Sequence, residues 1–546
     1  MDERKKLANL IFPNITKTID DYKKEYPERN IEGTVTRFAP SPTGYMHLGN
    51  FMQAVIDYVI SKNTNGVFYL RNEDTDQERK VDGAVELIMK TLKEYKMNPD
   101  EYEYEGKIVG NYGPYIQSER KEIYHAFIKH LIEIDRAYPC FCSIEELDET
   151  REMQEAGKKR TGYYGRYAKC RRLSIDEMIK RIEAGEPYVI RFKSLGNDEV
   201  KFNFNDLVRG VLSLPENDED FVIMKSSNKL PTYHFAHFVD DYLMHTTHVV
   251  RGEEWISSVP KHVELFASIG ATAPNYVHTP LIVKKEGNSI RKISKRKDPE
   301  ASMSYYDELG YPPLAVIESL MTIINSNYEE WHTANPDKAF TEFEFSPKKM
   351  SATGGALYDI EKLNNISKNI MSKMKAAEVY EGLISWTSKY DQDFNKIIAN
   401  YKDYTTNILN IEREIEKPRK DYACYSEIKN KIWFMYDELY NPTTYEWGNI
   451  TDKEMIQEVL NNYLEVYDIN DDKETWFNKI KELCDKLGYA SNMKEYKQNP
   501  ENFKGNVADF TTIIRVALTS KKETPDLYEI LKLLGNDKIK ERFSKI

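Results

Sequence analysis

RFAPSPTGYMHLGN, residues 37–50, is the stretch that decides the fold. It follows a β-branched run, Thr34, Val35 and Thr36, and precedes a long amphipathic pattern. Leu48, Phe51, Met52, Val55, Ile56, Val59 and Ile60 recur at helical spacing and make one apolar stripe. A helix therefore starts near His47, with its free backbone N–H groups facing the place where the strand ends. Such a helix N-terminus is ready to meet an anion. Gly44 and Gly49 remove side chains where a ligand would approach the backbone, and Pro40 and Pro42 stiffen the connection. His47, in the first turn, can donate to a phosphate oxygen. The plain alternative is an ordinary strand-to-helix loop.

The whole chain sets the bounds for that reading. Its 546 residues suggest roughly three or four domains. The composition, 40% hydrophobic and 30% charged, is that of a soluble globular protein. No run reaches the roughly 18 apolar residues that span a bilayer, so no membrane partner is expected. The N-terminus lacks the apolar core of a signal peptide. Five cysteines without framework spacing fit a reducing compartment, so the expected location is cytoplasmic. A net charge of −12 argues against DNA binding. RNA stays open, because KKEGNSIRKISKRK (284–297) is densely basic within an acidic chain. By itself that run would read as a solvated loop.

Short strands alternate with helical patterns over 31–125, which predicts βαβ units and a parallel sheet. The signature resumes with TTHVVRGEEW (246–255) and YVHTPLIVKK (276–285). Between them, 126–200 holds three cysteines and the strand-like GEPYVIRFK, and reads as an inserted module. Beyond about 305 the patterns are helical to the end. The expected fold class is thus α/β: a Rossmann-type parallel-sheet catalytic domain (31–125 and 201–305) with an inserted α+β module (126–200). An N-terminal extension (1–30) precedes it, and a connecting region (306–375) and an all-α C-terminal region (376–546) follow. Ligands of open α/β sheets bind at the strand ends. Three charges stand there: Arg37 after TVT, Glu73 after VFYL, and Arg251 after HVV. Two arginines and one acid complement a ligand with two carboxylates and one ammonium, with a structural ion pair as the alternative for each.

APSPTGYMHLGN resembles the HIGH signature of class I aminoacyl-tRNA synthetases, in the form typical of the glutamyl members. KISKR (292–296) resembles the partner KMSKS signature. YLRNEDTDQER, LPTYHFAHFVDDYLMHTTHVVRGEEW, SATGGALYDIEKLN and RVALTSKKETPDLYEILKLLG are similar to the same family, in family order from about residue 33 to the end. The resemblance implies a ligase that activates L-glutamate with ATP and Mg²⁺ and passes it to the 3′ end of tRNA-Glu, working as a monomer. His47, Lys292 and Lys295 take the catalytic roles. Thr43, Gly44, His47, Gly49, Lys292, Ser294, Lys295 and Arg296 take ATP. Glu73 meets the amino acid's ammonium and Arg251 its side-chain carboxylate, with Arg37, Ser41, Tyr233 and His237 as further contacts. Mg²⁺ is expected on the ATP phosphates without a dedicated protein cage.

Three positions depart from the family pattern: Asn50 ends the HIGH motif, Asn72 precedes Glu73, and His237 stands where many relatives carry asparagine. Some relatives hold a structural zinc with three cysteines and a tyrosine. Cys140, Cys142 and Cys170 offer the thiolates here, with Tyr164 and Tyr167 as candidates for the fourth ligand; free buried thiols are the alternative. Among rival functions, a short synthetase-like paralogue lacks the helical C-terminus, a glutaminyl enzyme is disfavoured by SPTG and Arg251, and a silent RNA-binding protein by intact His47, Lys292 and Lys295. A nucleotidyltransferase sharing only the HxG loop would have no need of KISKR.

Overall fold

A computed structural model describes residues 3–352 and 354–546 of the chain. It divides into two compact units, one running to Tyr305 with Ile317–Asp359 added, the other formed by Tyr306–Val316 and Ile360–Ile546.

The first unit opens with helices α1 (Glu3–Ile11) and α2 (Ile19–Glu25), the latter closed by a Thr18–Asp21 capping box. Strand β1 (Val35–Phe38) is buried at every position. Helix α3 (Leu48–Asn63) follows the quoted loop, and every residue of the predicted apolar stripe is buried. The turn out of α3 passes Thr34 at Gly66, where a Cβ would stand 1.9 Å from the Thr34 carbonyl oxygen. Only glycine lets β2 (Val67–Leu70) close beside β1, pairing in parallel from Val35↔Val67 to Phe38↔Leu70.

The chain then leaves this sheet through α4 (Ala84–Glu94), a small hairpin of β3 (Tyr102–Tyr104) and β4 (Lys107–Val109), and α5 (Lys121–Glu133). A second sheet follows, of β5 (Ala137–Cys140) and β6 (Val189–Phe192), with α6 (Ile144–Ala156) and α7 (Ile175–Glu183) between them. The hairpin of β7 (Lys201–Asp206) and β8 (Gly210–Pro215) comes next, and β9 (Val222–Met224) then pairs with β6. The module's last strand thus lies past residue 200, the boundary read from sequence. Between its strands, the β7–β8 hairpin bonds back toward the parallel sheet through Leu207 N to Tyr276 O, 3.0 Å. Alternating exposure along β7 hides such an excursion from sequence patterning.

Helix α8 (Tyr233–Leu243) leads to β10 (His248–Gly252), which pairs with the free edge of β1 at Thr36↔His248. Helix α9 (Val259–Ser268) and β11 (Asn275–Thr279) complete a parallel sheet of order β11-β10-β1-β2. Strands β12 (Ile282–Glu286) and β13 (Ser289–Lys292) form the hairpin that carries the basic loop, and β14 (Ala356–Leu357) joins its edge. The order reverses between β1 and β10, so the crevice at their C-terminal ends is where such sheets bind ligands. Arg37 and Arg251 occupy those two strands.

Beneath the crevice sits a dry polar layer. Asp240, fully buried, accepts from Arg120 Nε (2.7 Å), Gln117 Nε2 (2.8 Å) and Tyr124 Oη (2.9 Å). Helix α1 closes the far side, its Leu7 and Ala8 joining Phe127, Leu131 and Met178 in one core.

The second unit is built of helices. Those at Ala376–Tyr390, Lys453–Val466, Lys473–Leu487, Val507–Thr519 and Leu527–Phe543 surround a core that includes Phe394, Tyr436, Tyr463, Trp476, Phe510 and Ile513.

Asp240→Ala strands a buried guanidinium, which costs about 3–5 kcal/mol when one partner of a buried pair is removed. The variant should show a lowered first transition in calorimetry, with Asp240→Asn falling between it and wild type. An unaltered melting profile for the alanine variant would contradict this account of the layer.

Candidate active site

Two adjoining cavities lie at the strand ends. The larger, about 530 Å³, is lined by Arg37, Ser41, Thr43, Glu73, Tyr233 and Arg251 among others. The smaller, about 170 Å³, is lined by His47, Gly49 and Lys292. Asn50, Gln53 and Glu254 line both, and so mark where they meet.

His47 is the N-cap of α3, and its Nδ1 accepts from Gly49 N at 3.0 Å. That bond puts the ring proton on Nε2. Burial first, then the Lys295 and Lys292 charges, lower its pKa to about 4. At neutral pH the residue is therefore an uncharged donor, not a cation. Gly44 takes φ +111°, a conformation that L side chains rarely adopt.

Lys292 ends β13, and the turn that follows carries the other signature residues. Ser294 N donates to Asp298 Oδ2 (2.9 Å), and Arg291 pins the same carboxylate at 2.7 and 2.8 Å. These contacts, the Arg291 hydrogen bond foremost, hold the Asp298 carboxyl well below its usual range. Lys295 Nζ donates to the Tyr45 carbonyl, 250 positions away, so the basic turn touches the Pro/Gly loop directly. Burial pushes the Lys295 ammonium down. Arg296 is exposed on the same turn and lines neither cavity.

The larger cavity has a charged floor. Glu73 Oε1 takes Arg71 Nη2 (2.9 Å), Arg71 Nε (3.3 Å) and Gln117 Nε2 (3.5 Å), which leaves Oε2 for a ligand. Burial raises the Glu73 acid, and Arg71 and Arg37 pull against it. Arg37 Nε stands 3.4 Å from Asp241 and its Nη1 donates to Val250 O at 3.2 Å. Arg251 touches neither Glu253 nor Glu254; Glu253 pairs instead with Arg209.

His237 is not part of the lining. It stacks behind Tyr233 (centroids 5.9 Å apart), with Nε2 2.9 Å from Tyr276 Oη and Nδ1 2.7 Å from Asp241. Burial lowers its pKa to about 4, with Asp241 opposing. Sequence reading missed Asp57, which lines the cavity although 99% of it is shielded from solvent and neither carboxyl oxygen has a hydrogen-bond partner. Burial pushes this acid up against the pull of Arg37. A carboxylate on an otherwise apolar buried helix was the available signal.

Away from the crevice, the sulfurs of Cys140, Cys142 and Cys170 lie within 4.8 Å of one another. The phenol that reaches them belongs to Tyr163, 3.4 Å from Cys140 Sγ and 3.3 Å from Cys142 Sγ. Tyr164 and Tyr167, the candidates from sequence, turn away: Tyr164 Oη donates to Arg160 O and Tyr167 accepts from Arg166. Hydrogen bonding within the cluster, from Cys142 and then Cys170, pushes the Cys140 thiol down, and the same contacts push the Cys142 and Cys170 thiols up. Three sulfurs and a phenol oxygen at this spacing fit a tetrahedral zinc site.

The family model described as tRNA synthetases class I (E and Q), catalytic domain, matches residues 34–365, and an anticodon binding domain model matches 379–546. The chain is 47% identical over 545 residues to a glutamate–tRNA ligase of Acetivibrio thermocellus, covering 99% of each. It is 46% identical to one from Clostridium perfringens, covering 99% of this chain and 98% of that one. A crystal structure of a glutamate tRNA ligase from Elizabethkingia meningosepticum in complex with its amino acid superposes with a TM-score of 0.74. That match is at 28% identity and covers 94% of this chain and 99% of the other. The strand-end arginines, the helix-capping histidine and the basic hairpin turn thus sit in a chain that belongs to the class I tRNA synthetases of the E and Q type.

Proposed function

We propose that the chain is a glutamate–tRNA ligase, which joins L-glutamate to the 3′ end of tRNA-Glu through a glutamyl-adenylate. One observation carries this reading: a cavity with Arg37, Arg251 and Glu73 opens onto another with His47 and Lys292. The first has the charges for a dicarboxylic amino acid, the second the donors for phosphates.

In the first step the α-carboxylate oxygen of glutamate bonds to the α-phosphorus of ATP, and the bond to the bridging oxygen breaks as pyrophosphate leaves. The nucleophile is already charged and the leaving group stable, so positioning and charge stabilisation dominate. His47 Nε2–H and the N-terminus of α3 serve the phosphates from one side, and Lys292 and Lys295 from the other. Glu254, lining both cavities, is the carboxylate that would meet a Mg²⁺ ion, which when bound would supply further charge neutralisation. Arg37 and Arg251 orient the amino acid, and Glu73 holds its ammonium. Glutamine in place of glutamate would leave a buried guanidinium without its anion.

The tRNA is shared among the other regions. We assign the inserted module, read from sequence as 126–200, to the acceptor end and the helical region 376–546 to the anticodon. Among the described residues no helix is long and apolar enough to cross a membrane.

Lys295→Ala should slow glutamyl-adenylate formation by about 10²–10³ in single turnovers with saturating tRNA, while the KM for glutamate stays near wild type; normal turnover would remove Lys295 from the reaction. Arg251→Ala should lower kcat/KM for glutamate far more than for glutamine, with Arg251→Lys intermediate because it keeps the charge without the fork. Equal losses for the two amino acids would take Arg251 out of substrate reading. For the cysteine cluster, metal analysis of protein prepared with zinc should find about one zinc per chain. Cys142→Ser should abolish it and Tyr163→Phe weaken it; metal-free protein would leave the three cysteines as free thiols.

A further inference from the structure

Several buried arginines in this protein are matched to carboxylates, while Arg191 and Arg413 meet backbone carbonyls. Arg29 pairs with Glu101, Arg71 with Asp241 and Glu73, and Arg120 with Asp240. Arg251, 4% exposed, is held otherwise. Its Nε donates to His278 Nε2 (3.0 Å), its Nη1 to His262 Nδ1 (3.0 Å) and its Nη2 to Trp255 O (3.3 Å). The Tyr276 ring lies under the guanidinium, 4.5 Å from centroid to Cζ. A guanidinium has donors only, so both imidazole nitrogens facing it must be unprotonated acceptors. The outer nitrogens then carry the protons. His278 Nδ1–H donates to Asp206 Oδ2 at 2.6 Å, and His262 Nε2–H to His234 Nδ1 at 3.0 Å. Asp206 is further engaged by the Val208 and Arg209 amides, at 3.0 and 2.9 Å.

Every charge around the two rings bears on this tautomer. For His262, burial comes first in opposing protonation, followed by His237, Arg251, His234 and His278. For His278, burial and the Arg251 and Arg209 charges oppose it, and Asp206 alone favours it. Lys261 and Arg251 press on His234 in the same sense after burial, and Asp241 faces His237.

We propose that His262 and His278 are specificity-determining positioning residues: as neutral acceptors they fix the Arg251 guanidinium while leaving its positive charge uncancelled for the side-chain carboxylate of the substrate. The proposal rests on reading Arg251 as the partner of that carboxylate. A carboxylate in either position would hold the fork equally well, but its charge would offset the arginine's at short range in a site of low dielectric. An imidazole supplies the hydrogen bond without the charge. The preference for an anionic over an amide side chain is then set by what stands behind Arg251, not by Arg251 alone.

The test compares His262→Asn with His262→Asp in the full-length enzyme, two isosteric changes that both put Oδ1 near the place of Nδ1. Pyrophosphate exchange is measured with glutamate and with glutamine at saturating tRNA. Asparagine should keep the glutamate-over-glutamine preference within about threefold, whereas aspartate should lower it by about 10²-fold, chiefly through the KM for glutamate and with the KM for ATP unchanged. His278→Gln and His278→Glu, which put Oε1 near Nε2, should repeat the pattern. The wild-type protein offers a check that needs no variant: histidine ¹⁵N shifts at pH 6.5 should show both rings neutral, His262 protonated at Nε2 and His278 at Nδ1. An imidazolium at either position, or an equal effect of the amide and acid variants on the preference, overturns the proposal. A wild-type enzyme with no preference for glutamate overturns the ligase reading instead.

Discussion

A single carboxylate, that of Asp241, holds together the floor beneath the crevice. It is 2% exposed and is approached by Arg71 Nη1 at 2.7 Å, His237 Nδ1 at 2.7 Å, Thr246 Oγ1 at 3.0 Å and Arg37 Nε at 3.4 Å. Burial opposes its ionisation, yet Arg71 and then Arg37 hold its carboxyl far below the usual range. Two guanidinium groups, one from β1 and one just past the end of β2, and one imidazole from α8 are thereby tied to one point. Without that charge, Arg71 would keep Glu73 as its partner and Arg37 would lose its nearest carboxylate.

The two halves of the crevice use electrostatics differently. In the smaller cavity His47 caps α3 and Lys292 ends β13; Lys295 lies in the turn that follows, which is tied both by Asp298 and by the Lys295 contact with the Tyr45 carbonyl. In the larger cavity Arg37, Glu73 and Arg251 are buried and held by further polar groups behind them, whereas Arg79 and Glu254 in the same lining are exposed.

Much of this was legible in the sequence because it is local. A strand, a Pro/Gly turn and an amphipathic helix sit within 30 residues, and Arg37, Glu73 and Arg251 are marked by their places at strand ends. What spacing cannot report is which side of a loop faces inward. Tyr163, Tyr164 and Tyr167 read alike, yet only the buried first one points at the sulfurs, while the other two stack edge to face at 5.5 Å. His237 has the same difficulty: one face of α8 touches the cavity through Tyr233, and the histidine one turn on belongs to the layer behind. The module's end at β9 was hidden because its partner β6 lies some thirty residues earlier, and pairings of that kind leave no local trace.

The separation of β1 from β10 also bears on how the chain is made. Val35 N donates to Thr247 Oγ1 across 212 positions. At roughly 5–20 residues per second, β10 leaves the ribosome about 10–40 s after β1. During that interval β1 has β2 on one side and an open hydrogen-bonding edge on the other, with side chains that end fully buried. An exposed apolar edge strand is the usual template for mispairing with another chain. The long excursion between β2 and β10 therefore leaves the central strand unpartnered on one edge through much of its own synthesis, a period in which a chaperone or a transient cover over that edge has the most to protect.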